Sequence, residues 1–245
     1  RCMTVPPVLL IHGMWADQAH WSRYRRFFQG AGYETSAVTL LYHTTPQDMA
    51  GLGRVGIMDY VEQVRQVVAG LPQPPVVIGH SMGGLVAQKL AELVPLRALV
   101  LISSCAPGGI PCITPSVLGC AGANLPDALL KRPFIIPPRN ARYGLLNTLS
   151  RREQVVIQQS FLHESGRALW DILAGKVTVD ERKVHCPVLV LVGSEDHATP
   201  PVVARRLARK YGADYREYPG RCHFLTAAHD VLHDVGDWVA GKVQS

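Results

Sequence analysis

The chain has 245 residues, of which 47% are hydrophobic and 18% charged, with a formal net charge of +6. That length suits one sizeable α/β domain with a substantial core, and the composition is that of an ordinary globular protein. No apolar run approaches the roughly 18–20 residues that span a bilayer, no signal-peptide pattern opens the chain, and the basic residues lack the aromatic interleaving of a nucleic-acid surface.

Val8-Leu9-Leu10-Ile11 reads as a buried strand that stops at His12-Gly13-Met14-Trp15. Asp17 is placed to cap a helix running to about residue 29, with Trp21, Tyr24, Phe27 and Phe28 at helical spacing. Residues 35–41 read as a second strand, 44–57 as a polar, glycine-rich loop, and 59–68 as a helix ended by Gly70. Val76-Val77-Ile78 is a short β-branched strand, and residues 82–94 follow it as a helix stopped by Pro95. Residues 98–102 are another apolar strand. Strands alternating with helices imply a mostly parallel sheet with helices on both faces and right-handed crossovers.

The alternation breaks between residues 106 and 183, where Pro107, Pro111, Pro115, Pro126, Pro133, Pro137 and Pro138 fragment the pattern. Helices return there: Ser150 to Glu153 forms a capping box opening a helix to about 162, and a second helix covers 167–173. Alternation then resumes. Residues 187–192 are a strand, Pro201 starts a helix to about 211, 214–218 are the last strand, and 227–240 the terminal helix. The expected organisation is a core of residues 1–105 and 184–245 carrying an insertion, 106–183. An insertion of this size is usually functional rather than a bare loop.

The six cysteines, at 2, 105, 112, 120, 186 and 222, show no metal-ligand spacing and read as reduced, in keeping with a cytoplasmic home; whether Cys112 and Cys120 pair is left open. Arg139, Arg142, Arg151, Arg152 and the 205–210 cluster favour anionic partners only weakly and read as solvated faces. His229 and His233, at i and i+4 with Asp230 and Asp234 beside them, have a spacing that can hold a metal, but read as the solvated face of the terminal helix.

The chemistry centres on Gly79-His80-Ser81-Met82-Gly83. A serine on a sharp strand-to-helix turn projects its hydroxyl into a cleft, and glycines two residues either side let backbone pass without Cβ clashes. The amide of Met82 points the same way, at the positive end of the new helix. Such a serine needs a base, and the base a carboxylate. Groups at the carboxyl ends of parallel strands converge, which selects Ser81, Asp196 and His223. Ser103-Ser104-Cys105 offers no carboxylate at its strand exit, and His185 precedes a strand at the wrong end. Glu195 and His197 adjoin Asp196, and His80 within the turn reads as packed against the sheet.

The strand–turn–helix around G-x-S-x-G, the order Ser81, Asp196, His223 and the segment His12-Gly13-Met14 together resemble the α/β-hydrolase family, over about residues 5–239. The resemblance implies an α/β-hydrolase fold with a mostly parallel sheet of about six strands and a helical cap over residues 106–183. The family's G-x-x-D pattern matches Asp196, and its H-G-x segment makes the Met14 amide a second oxyanion donor beside Met82. Trp15, Phe134, Phe161 and Trp170 become candidate substrate contacts. Ile135, Ile136, Leu145, Leu146, Leu162 and Leu169 could also face the pocket, though most of the cap's apolar residues are expected in its own core. No cofactor or metal is implied. The implied activity is that of a serine esterase acting on a small to medium ester, lactone or thioester, with no nucleic-acid partner. Alternatives on the same triad are a hydroxynitrile lyase-like or perhydrolase activity, and a ligand receptor with slow turnover. Family lyases add a lysine near the pocket, for which Lys176 and Lys183 are the candidates. The H-G-M-W segment lacks the H-G-x-P proline of epoxide hydrolases, and Ser81 excludes their aspartate chemistry. Oligomeric state is not legible.

Overall fold

The computed structural model describes residues 5–244, so Cys2 lies outside the described residues. Among these, six strands form one all-parallel sheet: β1 (Val8–Ile11), β2 (Thr35–Val38), β3 (Val76–His80), β4 (Ala98–Ile102), β5 (Val188–Gly193) and β6 (Asp214–Tyr218). Their order is β2-β1-β3-β4-β5-β6. The chain therefore reverses direction across the sheet at β1, and the crevice beyond the carboxyl ends of β1 and β3 is a topological switch point. β1 pairs with β2 through Val8–Thr35 and with β3 through Val8–Val76.

Side-chain alternation divides the core into two layers. Leu9, Ile11, Val77, Leu99, Leu101, Val190 and Val192 face one way. They pack on α3 (Ile57–Ala69), α4 (Met82–Leu93) and α10 (Pro201–Tyr211). Val8, Leu10, Val76, Ile78, Val100, Ile102, Leu189 and Leu191 face the other, against α1 (Ser22–Gly30) and α11 (His229–Gln244). The central strands β3 and β4 are buried at every position. Their sequences are continuous apolar runs for that reason. β6, D-Y-R-E-Y, is a half-exposed edge strand, and its charges discourage further pairing.

Several boundaries differ from the sequence expectation, each for a local reason. β2 stops at Val38 instead of 41, because the next amides leave the ladder. Leu40 N–H donates to His12 Nε2 and Leu41 N–H to Gln63 Oε1. The expected loop 44–57 contains a short helix, α2 (Met49–Leu52), capped by Asp48. α3 starts two residues early because the Asp59 carboxylate accepts from the Gly56 amide at 2.8 Å. Asp17 does cap its helix, but the first turn, 18–21, is 3₁₀.

Between β4 and β5 lie α5 (Pro115–Ala121), α6 (Leu125–Leu129), α7 (Pro138–Gly144), α8 (Arg151–Gln159) and α9 (Gly166–Leu173). They enclose a third apolar cluster with Phe134, Ile136, Leu145, Leu146 and Leu169, joined by Trp15 from the β1 exit. The only β-pairing there, among the described residues, is an isolated bridge between Phe134 and Glu164. Among the described residues no helix is long and apolar enough to cross a membrane. Cys105, Cys112, Cys120, Cys186 and Cys222 are all free thiols.

Close backbone approach fixes the glycines around β3. A Cβ on Gly83 would sit 2.3 Å from the carbonyl oxygens of both Ile11 and His12, and one on Gly79 would sit 2.5 Å from Gly83 O. Gly30, by contrast, closes α1 with nothing within 4 Å. Gly83→Ala should therefore destabilise by about 3 kcal/mol or lose soluble protein altogether, since rigid backbone has to move. Gly30→Ala should stabilise by roughly 0.4–1 kcal/mol through the unfolded chain. Urea unfolding of both variants tests this ranking, and a Gly83→Ala protein as stable as its parent contradicts it.

Candidate active site

Ser81 occupies the turn between β3 and α4 with φ 54° and ψ −120°. That lies outside the allowed regions for a residue with a Cβ, and such strain persists only where neighbours enforce it. Here they do: Ser81 N–H donates to Ile102 O at 3.1 Å, and Ser81 O accepts from the amides of Gly84 and Cys105, each at 3.0 Å. The β1 exit packs directly on the turn. A Cβ on Gly13 would lie 2.9 Å from Ser81 Cβ. The Met82 amide, first in α4, has no intrahelical acceptor. Met14 follows Gly13 in the β1 exit loop and lines the same cavity as Ser81. Ser81 is half-buried, and its Oγ lies 4.0 Å from Cys105 Sγ without a hydrogen bond to His223. Burial pushes the Cys105 thiol up to about 12, so it is a neutral neighbour at pH 7 and no competing nucleophile.

Asp196 leaves β5 and is almost fully buried. Its carboxylate accepts from the amides of Ala198 (3.0 Å) and Thr199 (2.8 Å) and from Thr199 Oγ1 (2.9 Å). His223 leaves β6, and its Nδ1 meets both Asp196 oxygens, at 2.9 and 3.0 Å. An Nδ1 facing a carboxylate carries the proton, which leaves the lone pair of neutral His223 on Nε2. Thr199 Oγ1 is also 3.3 Å from that Nδ1. The backbone of His223 is held in turn, since His80 Nε2 donates to its carbonyl at 3.1 Å.

Around this pair lie three further histidines. His20 stacks on His80 with centroids 5.0 Å apart, and its Nε2 pairs with Thr226 Oγ1 at 3.0 Å. Burial, reinforced by His223, lowers His20 to about 4 and holds His80 well below the usual imidazole range. Burial and then His43 lower His12 to about 3. His12 shows its tautomer directly: Nε2 accepts from the Leu40 amide, so Nδ1 donates to Gly13 O at 2.8 Å. These rings are neutral struts at ordinary pH.

Ser81 and His223 both line a cavity of about 410 Å³. Its walls are Met14 and Trp15 from the β1 exit, Leu145, Val156, Ile157 and Phe161 from the insertion, and Phe224, with His20 and Ser160 at polar positions. Asp17 is its one charged lining residue among those described, and no lysine or arginine reaches it. Of the expected contacts, Trp15 and Phe161 face this cavity. Phe134 does not: it is buried in the insertion's own cluster, edge-on to Trp15 at 5.8 Å. Trp170 lies on a separate hollow with Val117, Leu118 and Leu173. Both were drawn to the wrong side because aromatic character alone does not say which face of a cap is its core. Of the lining residues the sequence did not nominate, Val156, Ile157 and Ser160 come from α8 and the residue after it. That helix buries none of its residues fully although it carries Val155-Val156-Ile157. An apolar run on a helix with polar flanks was the available signal.

The competing groups point elsewhere. Glu195 is exposed and accepts from Ser194 Oγ. His197 is tied through Nδ1 to Tyr143 O at 2.8 Å. His229 and His233 bring their Nε2 atoms within 3.2 Å on an exposed face, yet no three ligating side chains converge among the described residues. Lys176 and Lys183 do not line the cavity.

A sequence model of the alpha/beta hydrolase family matches residues 8–241. Over 222 residues the chain is 26% identical to a pyrethroid hydrolase of Sphingobium wenxiniae, covering 85% of this chain and 78% of that one. Its fold is similar to that of a carboxylesterase of the thaumarchaeon Nitrososphaera gargenis, with a TM-score of 0.76 at 15% identity over 98% of this chain and 92% of that one. It is also similar to an extracellular alpha/beta-hydrolase of a Paenibacillus species, with a TM-score of 0.75 at 19% identity over 96% of this chain and 98% of that one.

The depressed histidines have a consequence for stability. His20 is lowered to about 4 in the folded state, against about 6.5 when unfolded. The unfolded chain then binds more protons between those values, so the contribution of His20 is present above pH 6.5 and is lost as pH falls towards 4. His20→Gln, which can keep the bond to Thr226, should flatten the fall of the thermal midpoint across that window. Identical slopes for parent and variant in a pH series of unfolding scans contradict this.

Proposed function

The chain belongs to the alpha/beta hydrolase family, and from that premise we propose that it is a serine hydrolase cleaving a neutral carboxylic ester through an acyl-enzyme on Ser81. The observation that carries the reading is the meeting of Ser81, on its strained turn, and the Asp196-bonded His223 in one apolar cavity. In this reading Ser81 Oγ turns from Cys105 towards His223 Nε2, gives up its proton there and attacks the carbonyl carbon. Asp196 stabilises the imidazolium that forms. The amides of Met14 and Met82 receive the oxyanion, a role in which one donor is worth about 3–4 kcal/mol. His223 returns the proton to the leaving alcohol, and water repeats the sequence to release the acid. The described residues need no metal or organic cofactor for these steps.

The cavity supports the substrate class. Apolar walls and a single acidic lining residue, Asp17, disfavour anionic substrates despite the chain's net positive charge. Its volume suits a small to medium ester, a lactone or a thioester. Residues 106–183 act as the cap, since Leu145, Val156, Ile157 and Phe161 supply that wall. The similar proteins named as a carboxylesterase and a pyrethroid hydrolase support hydrolysis as the reaction. The lyase alternative loses its lysine, because neither Lys176 nor Lys183 reaches the cavity.

Hydrolysis of p-nitrophenyl esters tests the reading. Ser81→Ala should abolish turnover and labelling by a fluorophosphonate while leaving the fold intact. Asp196→Asn should lower kcat by roughly 10²–10⁴-fold, because asparagine supports the wrong histidine tautomer. Glu195→Gln should change it little. Labelling that persists in Ser81→Ala, or a Glu195 variant more damaged than the Asp196 one, sinks the assignment.

A further inference from the structure

Glu164 carries a charge into the interior and takes no part in the chemistry above. It is 0% exposed and lies three residues after Phe161, which lines the cavity. Its Oε2 meets His43 Nε2 at 3.0 Å, while Oε1 accepts from the Tyr60 hydroxyl at 2.8 Å and the Ser165 amide at 2.7 Å. His43 is also 0% exposed, and its Nδ1 lies 2.9 Å from Leu41 O. Both of its ring nitrogens face acceptors. An imidazolium donates from both, and a carboxylate at Glu164 accepts from it. Burial by itself lowers His43, but the Glu164 charge and hydrogen bond reverse this and leave it raised. Burial raises Glu164, but the His43 charge and bond, the Ser165 amide and Tyr60 outweigh it and leave it lowered.

A buried ion pair is a poor device for stability, because well-packed apolar residues of the same volume often do as well or better. Its best-attested use is to fix register. The register at stake here is that of residues 161–165. Leu162 N–H donates to Trp15 O at 2.9 Å, and His163 N–H to Gln47 Oε1 at 2.8 Å. Glu164 exchanges two backbone bonds with Phe134, at 2.8 and 2.9 Å, and Ser165 Oγ donates to Val55 O. Four successive residues are thus tied to four different segments. At the head of this strap the Phe161 ring packs on Trp15, centroids 6.1 Å apart. On the other side of the pair, His43 sits 5.2 Å from His12, which braces Gly13 beside Met14.

We propose that Glu164 and His43 are positioning residues: their ion pair fixes the register of strap 161–165 on the core and so sets Phe161 and Trp15 as the wall that selects the substrate of Ser81. Neither residue lines the cavity. The proposal rests on the ester-hydrolase reading for its kinetic consequence, and on the fold alone for its structural one.

Glu164→Gln keeps the shape and removes the charge. Tyr60→Phe removes one bond to Glu164 and keeps both charges, and it carries the same comparison if Glu164→Gln does not fold. With p-nitrophenyl hexanoate, Glu164→Gln should lower kcat/KM by about 10–100-fold, the scale of a misplaced binding wall. With p-nitrophenyl acetate, too small to need the wall, the loss should stay within about 3-fold on the same reasoning. Tyr60→Phe should shift the ratio in the same direction by less. In a Phe161→Ala background the extra effect of Glu164→Gln on the ratio should shrink, because the ring at the head of the strap is gone. Native-state hydrogen exchange supplies a readout independent of turnover. The amides of Leu162 and Glu164 should lose protection in Glu164→Gln while those of Val190 and Leu191 in β5 keep theirs. Equal losses for both esters, additivity with Phe161→Ala, or unchanged exchange at 162 and 164 overturns the proposal. If the unaltered protein cleaves neither ester, the ester-hydrolase reading fails, and the exchange comparison still decides the register.

Discussion

The structure depends on how tightly the backbone closes around Ser81. A serine at φ 54° is unfavourable by itself, and it is held because β1, β3 and β4 all bond to or press on the turn. Ile11, His12 and Gly13 of the β1 exit touch Gly83 and Ser81 so closely that side chains are excluded there. This contact does two things. It projects the hydroxyl outward, and it sets the Met14 loop beside the first turn of α4. The parallel sheet makes it possible, because β1 and β3 are neighbours whose carboxyl ends open on the same crevice.

The electrostatics of the crevice follow from burial. Most of the imidazoles nearby are denied a charge. His12, His20 and His80 are pushed down by desolvation and serve as neutral hydrogen-bonding and stacking pieces. His223 differs in having a carboxylate at Nδ1, and Asp196 is itself held by two amides and a hydroxyl. His43 differs in having Glu164. Two histidines thus meet carboxylates, His223 lining the cavity and His43 fully buried away from it.

The segment between β4 and β5 is tied to the rest of the chain at several points. Beyond the Glu164 pair, Asp171 accepts from the Ile57 amide at 3.1 Å, and Asn147 donates to Glu195 O at 2.9 Å. None of these four residues lines the cavity, whereas α8 meets it without a fully buried residue of its own.

Much of this was legible in the residues. Apolar runs of four to six residues between helical patterns state a parallel sheet, since only strands covered on both faces read that way. Strand exits then nominate Ser81, Asp196 and His223, because parallel strands deliver their carboxyl ends to one edge. Local capping was equally readable, as at Asp17 and at Ser150 with Glu153. What the sequence could not state was contact between distant segments. Phe134 and Trp170 have the composition of pocket residues, yet packing turned one into the cap's cluster and the other onto a separate hollow. Glu164 and His43 stand 121 positions apart, and nothing in either neighbourhood marks a buried pair. Periodicity and turn chemistry are local and therefore written in the chain; which faces of the cap meet the core, and which charges survive burial, are decided only when the tertiary fold brings their partners together.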